Sequence, residues 1–255
     1  SIDPSNEQLL LDSNVEAKGH DFFQLGSTAL SHDHQLMAWT VDTEGDERYR
    51  LNIRNLDDGT QLDSVVTDIA PSVVWAADSS CFFYVRVDAS WRPFQVWRHE
   101  LSVNTPDVLV FEEPDERYFV GIGGTLSEEF LMISVGSKIT SELRYVRATE
   151  PRDEFQVLWP REIGVEYFAD HLALGGDDHW IVLHNRNHPN FELAVNPIGS
   201  RAEPITMTAF DSTKLMSPRS SCTCRIEVKH SPALDLCLSQ TMVSGLYLPS
   251  LRNPN

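Results

Sequence analysis

Several histidines in this 255-residue sequence have spacings that could bring them onto one metal ion. His184 and His188 are four residues apart, with His179 nearby, and a four-residue spacing suits metal binding when both side chains share one face of a helix. His184, however, ends a strand-like segment, and four strand steps cover about 13 Å. We therefore predict structural or solvated histidines here, and likewise for His32 and His34 on either side of Asp33.

Acidic and cysteine clusters provide two further candidates for metal binding. The segment Cys222-Thr223-Cys224 lacks the two-residue gap of zinc sites, and no second pair follows it. Four carboxylates share one short loop, but their spacing does not fit a calcium-binding loop, so a solvated acidic loop is predicted. These are Asp42, Glu44, Asp46 and Glu47. The sequence predicts no metal site and no cofactor.

Residues for nucleophilic catalysis are also considered. His20, Asp21 and Ser27 have the residue types of a catalytic triad, but a triad is recognised by geometry and not by composition. Gly-x-Ser-x-Gly, the turn that exposes a nucleophilic serine, does not occur in these 255 residues. The glycine-rich segment 121–124 lacks a following Lys-Ser/Thr and a helix start, so a turn between repeat units is predicted. We assign no catalytic residue.

Charge and hydropathy exclude some classes of partner. The formal net charge of −18 argues against nucleic acid and against anionic membrane surfaces, because both require clustered Lys and Arg. No apolar run approaches the roughly 20 residues that span a bilayer. The polar start, Ser1-Ile2-Asp3-Pro4, shows no secretory signal, and four cysteines are too few for a disulfide framework. A cytoplasmic location is the expectation, and the missing initiator Met suggests processing or a fragment.

A repeat organises the elements that would hold these residues. Small acidic loops around Asp33, Asp78, Glu129 and Asp178 recur at intervals of roughly 50 residues. Each loop precedes a dense apolar run, which is typical of a strand buried on both faces and which we interpret as the first strand of a unit. An alternating, half-buried second strand follows. The apolar runs are Leu36–Trp39, Cys81–Val85, Phe130–Ile133 and Trp180–Leu183.

A repeat of this length with several strands is typical of a β-propeller blade. We predict an all-β chain that forms a partial propeller of about four to five antiparallel blades, with a β-sandwich as the alternative. The predicted divisions are a leading segment 1–25, blades over 26–210 and an irregular tail 211–255. The segment Glu7–Lys18 is the one modest helix candidate.

Ordered short motifs resemble the opening of the propeller domain of the prolyl oligopeptidase family, most closely oligopeptidase B. The first unit carries Leu10-Leu11-Asp12-Ser13-Asn14, Leu36-Met37-Ala38-Trp39 and Asn55-Leu56-Asp57-Asp58-Gly59. The second carries Val74-Trp75-Ala76-Ala77-Asp78 with Phe82-Phe83-Tyr84, and Val96-Trp97-Arg98-His99 follows. The resemblance is good from about residue 9 to residue 200 and fades after 210.

The resemblance implies a propeller that caps an α/β-hydrolase domain and admits only short peptides. In that family the Ser-Asp-His triad and the preference for basic residues belong to the hydrolase part, so no catalytic residue carries over to this chain. We therefore expect a non-catalytic propeller whose partner is a hydrolase domain or chain. A stand-alone propeller that binds other proteins, or a truncated product with little function, remain the alternatives.

Overall fold

The computed structural model describes residues 9–101, 105–200, 205–209, 225–227 and 235–237. The described chain is almost entirely extended. Its one helix in that part, α1, covers Ser13–Glu16 and begins where the Asp12 side chain accepts a hydrogen bond from the Asn14 N–H at 2.9 Å. The predicted helix over Glu7–Lys18 is thus limited to one turn where the structure describes it.

The strands follow one another with short connections. They are β1 (Gln24–Leu30), β2 (Leu36–Asp42), β3 (Tyr49–Asn55), β4 (Gln61–Trp75), β5 (Cys81–Val87), β6 (Pro93–Glu100), β7 (Val108–Glu112), β8 (Phe119–Gly124), β9 (Phe130–Gly136), β10 (Ser141–Arg147), β11 (Gln156–Val157), β12 (Tyr167–Leu174), β13 (Asp177–His184), β14 (Glu192–Pro197), β15 (Ile205–Ala209), β16 (Arg225–Glu227) and β17 (Asp235–Cys237).

Sequential antiparallel pairing builds sheets of four strands. Strands β1 to β7 form one continuous sheet, but β4 is 15 residues long and serves two sets of strands. Its first part pairs with β3 from Gln61 to Ile69, and its second part pairs with β5 from Ile69 to Trp75. We call the set β1, β2, β3 and early β4 blade 1, and the set late β4, β5, β6 and β7 blade 2. Strands β8 to β11 form blade 3.

The chain divides into two compact units, Ser1–Glu166 and Tyr167–Asn255. Blades 1 to 3 belong to the first unit. The second unit contains the four-stranded sheet β12-β13-β14-β15 and the pair β16-β17. Within that four-stranded sheet, Trp180 and Val182 of β13 are buried together with Ala194 of β14.

The core of the first unit lies between the faces of successive blades. Along β5, Phe82 and Tyr84 join a buried cluster with Leu51 and Ile53 of blade 1. Cys81, Phe83 and Val85, the alternate residues of β5, join a second cluster with Leu131 and Ile133 of blade 3. Because successive side chains of a strand point to opposite faces, a strand covered on both faces must be apolar at every position. This packing explains the continuous apolar run.

The apolar runs prove to be the second strand of each sheet, and not the first as we expected. Strands β1, late β4, β8 and β12 precede them. The second strand is flanked by a partner strand on both edges, so it is more enclosed than the first. The segment 121–124 is the end of strand β8, and so the turn predicted there is wrong.

Two predictions from the sequence concern the part of the chain after residue 210, where the structure describes only residues 225–227 and 235–237. The tail 211–255 lies outside the described residues except for β16 and β17. Cys222 and Cys224 also lie outside them. The divisions at residues 25 and 210 therefore stay predictions.

Candidate functional site at three hairpin turns

The turns that join the first and second strands of blades 1, 2 and 3 share one backbone conformation. In each turn the N–H of the first residue donates to the carbonyl oxygen five residues later, and the N–H of the fourth residue donates back to the first carbonyl. The fourth residue has a positive φ, and it is His34, Ser79 or Glu128. Because the three turns have the same backbone conformation, their corresponding side chains lie at one end of the blades.

Side chains tie the first turn to the second. Asp33 accepts hydrogen bonds from the Ser31 hydroxyl at 2.6 Å and from the Gln35 N–H at 3.1 Å. These bonds, with that of Ser31 the strongest influence, hold the pKa of Asp33 below its usual value. The Asp33 N–H in turn donates to the Ser79 hydroxyl of the second turn at 3.2 Å.

The second turn is tied to blade 3 by backbone and charge. The Ala77 N–H donates to the Ala148 carbonyl oxygen at 3.0 Å. The Arg152 guanidinium donates to the Glu100 carboxylate at 2.6 Å and to the Ser80 hydroxyl at 3.1 Å. These contacts join the second turn to blade 3.

A cleft of about 330 Å³ lies between the first and third turns, beside the adjoining ends of β1, β4 and β8. Leu30, Val73 and Val74 supply apolar wall, and Gly124 leaves room because it has no side chain. His32 of the first turn faces Glu128 of the third turn, with 3.7 Å between Nδ1 and the nearer carboxylate oxygen. Among the described residues that line the cleft, Glu128 is the one carboxylate.

The remaining histidines from the sequence hypotheses have structural surroundings. His184 is buried at the end of β13, 3.7 Å from the Glu192 carboxylate, and its Nδ1 accepts the Arg186 N–H at 3.3 Å. Burial lowers the pKa of His184, and Glu192 offsets part of that effect. His188 accepts the Asn190 N–H at 3.2 Å in a separate loop. No group of three metal-ligating side chains occurs in the described part of the chain.

The acidic loop after β2 has a buried centre and an exposed rim. Glu44, Asp46 and Glu47 are exposed as expected, but Asp42 is only 1% exposed. Its carboxylate accepts the backbone N–H groups of Glu44, Gly45 and Glu47 at 2.8 to 2.9 Å. Burial alone would raise the pKa of Asp42, but these hydrogen bonds outweigh it and lower the pKa. Asp42 thus fixes the backbone of the loop, and the prediction of a solvated acidic loop is wrong for this residue.

The three residues with triad types have different surroundings. His20 and Asp21 are exposed ahead of β1, while the Ser27 hydroxyl donates to the Pro71 carbonyl oxygen of β4. By contrast, His32 and His34 line the cleft, which sequence reasoning missed. The signal available was the repetition of the loops themselves, because loops at equivalent positions of successive blades lie at one end.

No helix in the described part of the chain is long and apolar enough to cross a bilayer. Cys81 is a free thiol in the core. Burial raises its pKa to about 11, so it stays protonated at neutral pH.

Four-stranded antiparallel sheets that follow one another and pack by their faces define the class of β-propeller proteins. Comparison with known families makes this assignment specific. Residues 1–220 match the model described as "Prolyl oligopeptidase, N-terminal beta-propeller domain", and the chain belongs to that family.

Relatives with established names agree with the family match. The chain is 37% identical over 201 residues to dipeptidyl aminopeptidase BI of Pseudoxanthomonas mexicana. The matched region covers 78% of this chain and 27% of that protein. It is 27% identical over 218 residues to Protease 2 of Moraxella lacunata, covering 84% of this chain and 31% of that protein. The chain therefore spans less than a third of the length of these relatives.

Solved structures show the same relationship. Oligopeptidase B from Trypanosoma brucei, with covalently bound antipain in a closed form, superposes with a TM-score of 0.72 at 29% identity, covering 83% of this chain and 30% of that one. Oligopeptidase B from Leishmania major gives a TM-score of 0.71 at 26% identity, covering 78% and 28%. These similarities show that the four-stranded blades of this chain belong to a propeller fold.

Proposed function

We propose that these residues form the non-catalytic propeller part of an oligopeptidase B-like serine peptidase. In this role they cover an α/β-hydrolase domain and limit its substrates to short peptides. The hydrolase domain supplies the acyl-transfer chemistry, and the propeller acts by docking to it and by excluding folded or long polypeptides. A cytoplasmic location accords with this proposal.

One observation carries the proposal. The backbone superposes on oligopeptidase B structures with TM-scores of 0.71 and 0.72 while it covers only 28% and 30% of them. The matched part is the propeller, and the relatives carry names of peptidases, so peptide substrates are plausible for the whole protein. The cleft between the first and third turns is a place where a peptide can contact the propeller.

The first experiment assays the purified 255-residue chain against arginyl and prolyl chromogenic peptides. We expect no hydrolysis, because the proposal places the nucleophile in a hydrolase domain beyond this sequence. Turnover that persists through purification to homogeneity would contradict the proposal.

A second experiment tests the exclusion of large substrates. The chain is combined with the hydrolase domain of a family member, and hydrolysis of a chromogenic short peptide is compared with hydrolysis of casein. We expect casein hydrolysis to fall several-fold more than short-peptide hydrolysis, because only the larger substrate is obstructed. Heat-denatured chain at equal concentration is the control. Equal effects on both substrates, with a chain that is monodisperse and stable alone, would favour a stand-alone interaction module.

A further inference from the structure

The cleft between the first and third turns combines one carboxylate with apolar walls. Glu128 belongs to a turn tip, and its side chain is 76% exposed at the cleft. Leu30 of β1 and Val74 of β4 line the same space. A volume of about 330 Å³ is at the lower end of the range of roughly 300–1,000 Å³ that holds small ligands.

This chemistry suits a small ligand with a cation at one end and an apolar group next to it. A primary ammonium donates up to three hydrogen bonds, and a carboxylate accepts them from several directions. The net charge of −18 adds a long-range attraction for cations. The His32 Nδ1 is 3.7 Å from the Glu128 carboxylate, so a ligand ammonium competes with the His32 ring for the same carboxylate.

We propose that this cleft binds the free amino terminus of a short peptide. Glu128 accepts hydrogen bonds from the terminal ammonium, and the wall formed by Leu30 and Val74 receives the first side chain. The choice of a peptide as the ligand rests on the proposed function. The site deepens that function because it distinguishes peptides by their end, and not only by their size.

Calorimetric titration of the 255-residue chain tests the proposal with two probes, leucyl-glycyl-glycinamide and its N-acetyl form. The free-amine probe is expected to bind about fivefold more tightly, the size of effect that one exposed ion pair supplies. The variant Glu128→Gln should remove this difference. Glu129→Gln changes the adjacent exposed carboxylate of the same turn and should keep it.

Two glycine variants test the location of the site. A side chain at Gly124 extends toward Val74, with ordinary contact distances of 3.7 Å to the Phe130 carbonyl oxygen and 4.0 Å to Val74. The valine side chain of the Gly124→Val variant should therefore fill part of the cleft and lower the affinity for both probes. Gly123→Val is the matched control, because no atom lies within 4 Å of a Cβ there and Gly123 does not line the cleft. Thermal unfolding of each variant confirms that it is folded.

Several results would overturn the proposal. Equal affinity for the two probes, an equal loss in the Glu129→Gln variant, or no binding of either probe would each do so. Because these titrations contain no hydrolase domain, their failure leaves the casein experiment unaffected. Conversely, the chain could prefer the free-amine probe and yet leave casein hydrolysis unchanged. That result would overturn the proposed function but support the amino-terminus site.

Discussion

Individual carboxylates shape the loops of the blades by accepting backbone hydrogen bonds. Asp42 accepts three such bonds, and Asp88 accepts the N–H groups of Ser90 and Arg92 in the corresponding loop of blade 2. Arg92 is 9% exposed and donates to Asp88 and to the carbonyl oxygens of Glu113, Asp115 and Tyr118. Removal of such a buried charged side chain leaves its backbone N–H or carbonyl partners without a hydrogen bond, which lowers the stability.

The variant Asp42→Asn should lower the free energy of unfolding by about 1–3 kcal/mol at pH 7, because an amide nitrogen cannot accept a backbone N–H. The lowered pKa of Asp42 means that its contribution is complete above the unfolded-state pKa of about 3.9. It is lost as the pH falls through the folded-state value. Urea denaturation at several pH values should therefore show a constant gap between wild type and variant above about pH 5, which narrows below about pH 4.

The control for this prediction is Glu44→Gln, which changes an exposed carboxylate of the same loop. It should alter the stability by less than about 0.5 kcal/mol at any of these pH values. A gap for Asp42→Asn that persists unchanged at pH 3 would contradict the assignment of a charged, hydrogen-bonded carboxylate.

At the scale of elements, β5 is the strand on which the first unit is built. One face of β5 packs against blade 1 and the other against blade 3. Phe83 is fully buried, and its ring meets that of Phe155 edge-on with 5.8 Å between centroids. A single strand thereby links three blades through side-chain packing.

Truncation of Phe83 to alanine should cost about 3–5 kcal/mol, because it leaves a cavity between two blades. Phe119→Ala is the matched control, since Phe119 lies on strand β8 and is 55% exposed. We expect the control to cost less than about 1 kcal/mol. Equilibrium denaturation measures both, and similar losses for the two variants would contradict the packing of β5 between blades.

At the scale of the whole molecule, charge is the dominant feature. The chain has 38 acidic and 20 basic residues, and this excess destabilises a compact state through self-repulsion. Ion pairs such as that of Arg152 with Glu100 oppose the repulsion locally, but exposed pairs contribute little.

Thermal unfolding at neutral pH should shift upward by about 2–4 °C between about 20 mM and about 300 mM NaCl, because salt screens the repulsion. Near the sequence pI of about 4.7 the net charge is small, so the shift should disappear there. A decrease in Tm with salt at neutral pH would mean that favourable ion pairs outweigh the repulsion.

Several features were predictable because they depend on local pattern. The Asp-Gly pair is a local turn signal, and Asp58-Gly59 lies between β3 and β4 with Gly59 at φ of 73°. The apolar runs also become strands, and the runs in β5 and β9 are buried at every position. The first strand of blade 1 was missed, because β1 contains Gly26, Ser27 and Thr28 and shows little apolar contrast. Gly121, Gly123 and Gly124 of β8 suggested a turn because they also give the strand little apolar contrast.

The amino-acid sequence by itself determined the all-β repeat and the kinship with prolyl oligopeptidases, because strand burial and turn chemistry are written in neighbouring residues. Only the tertiary structure decided that Asp42 is buried, that β4 serves two blades, and that His32 and Glu128 meet across one cleft. His32 and Glu128 are separated by almost a hundred positions in the chain. Their proximity depends on how successive blades are placed beside each other, which no local pattern encodes.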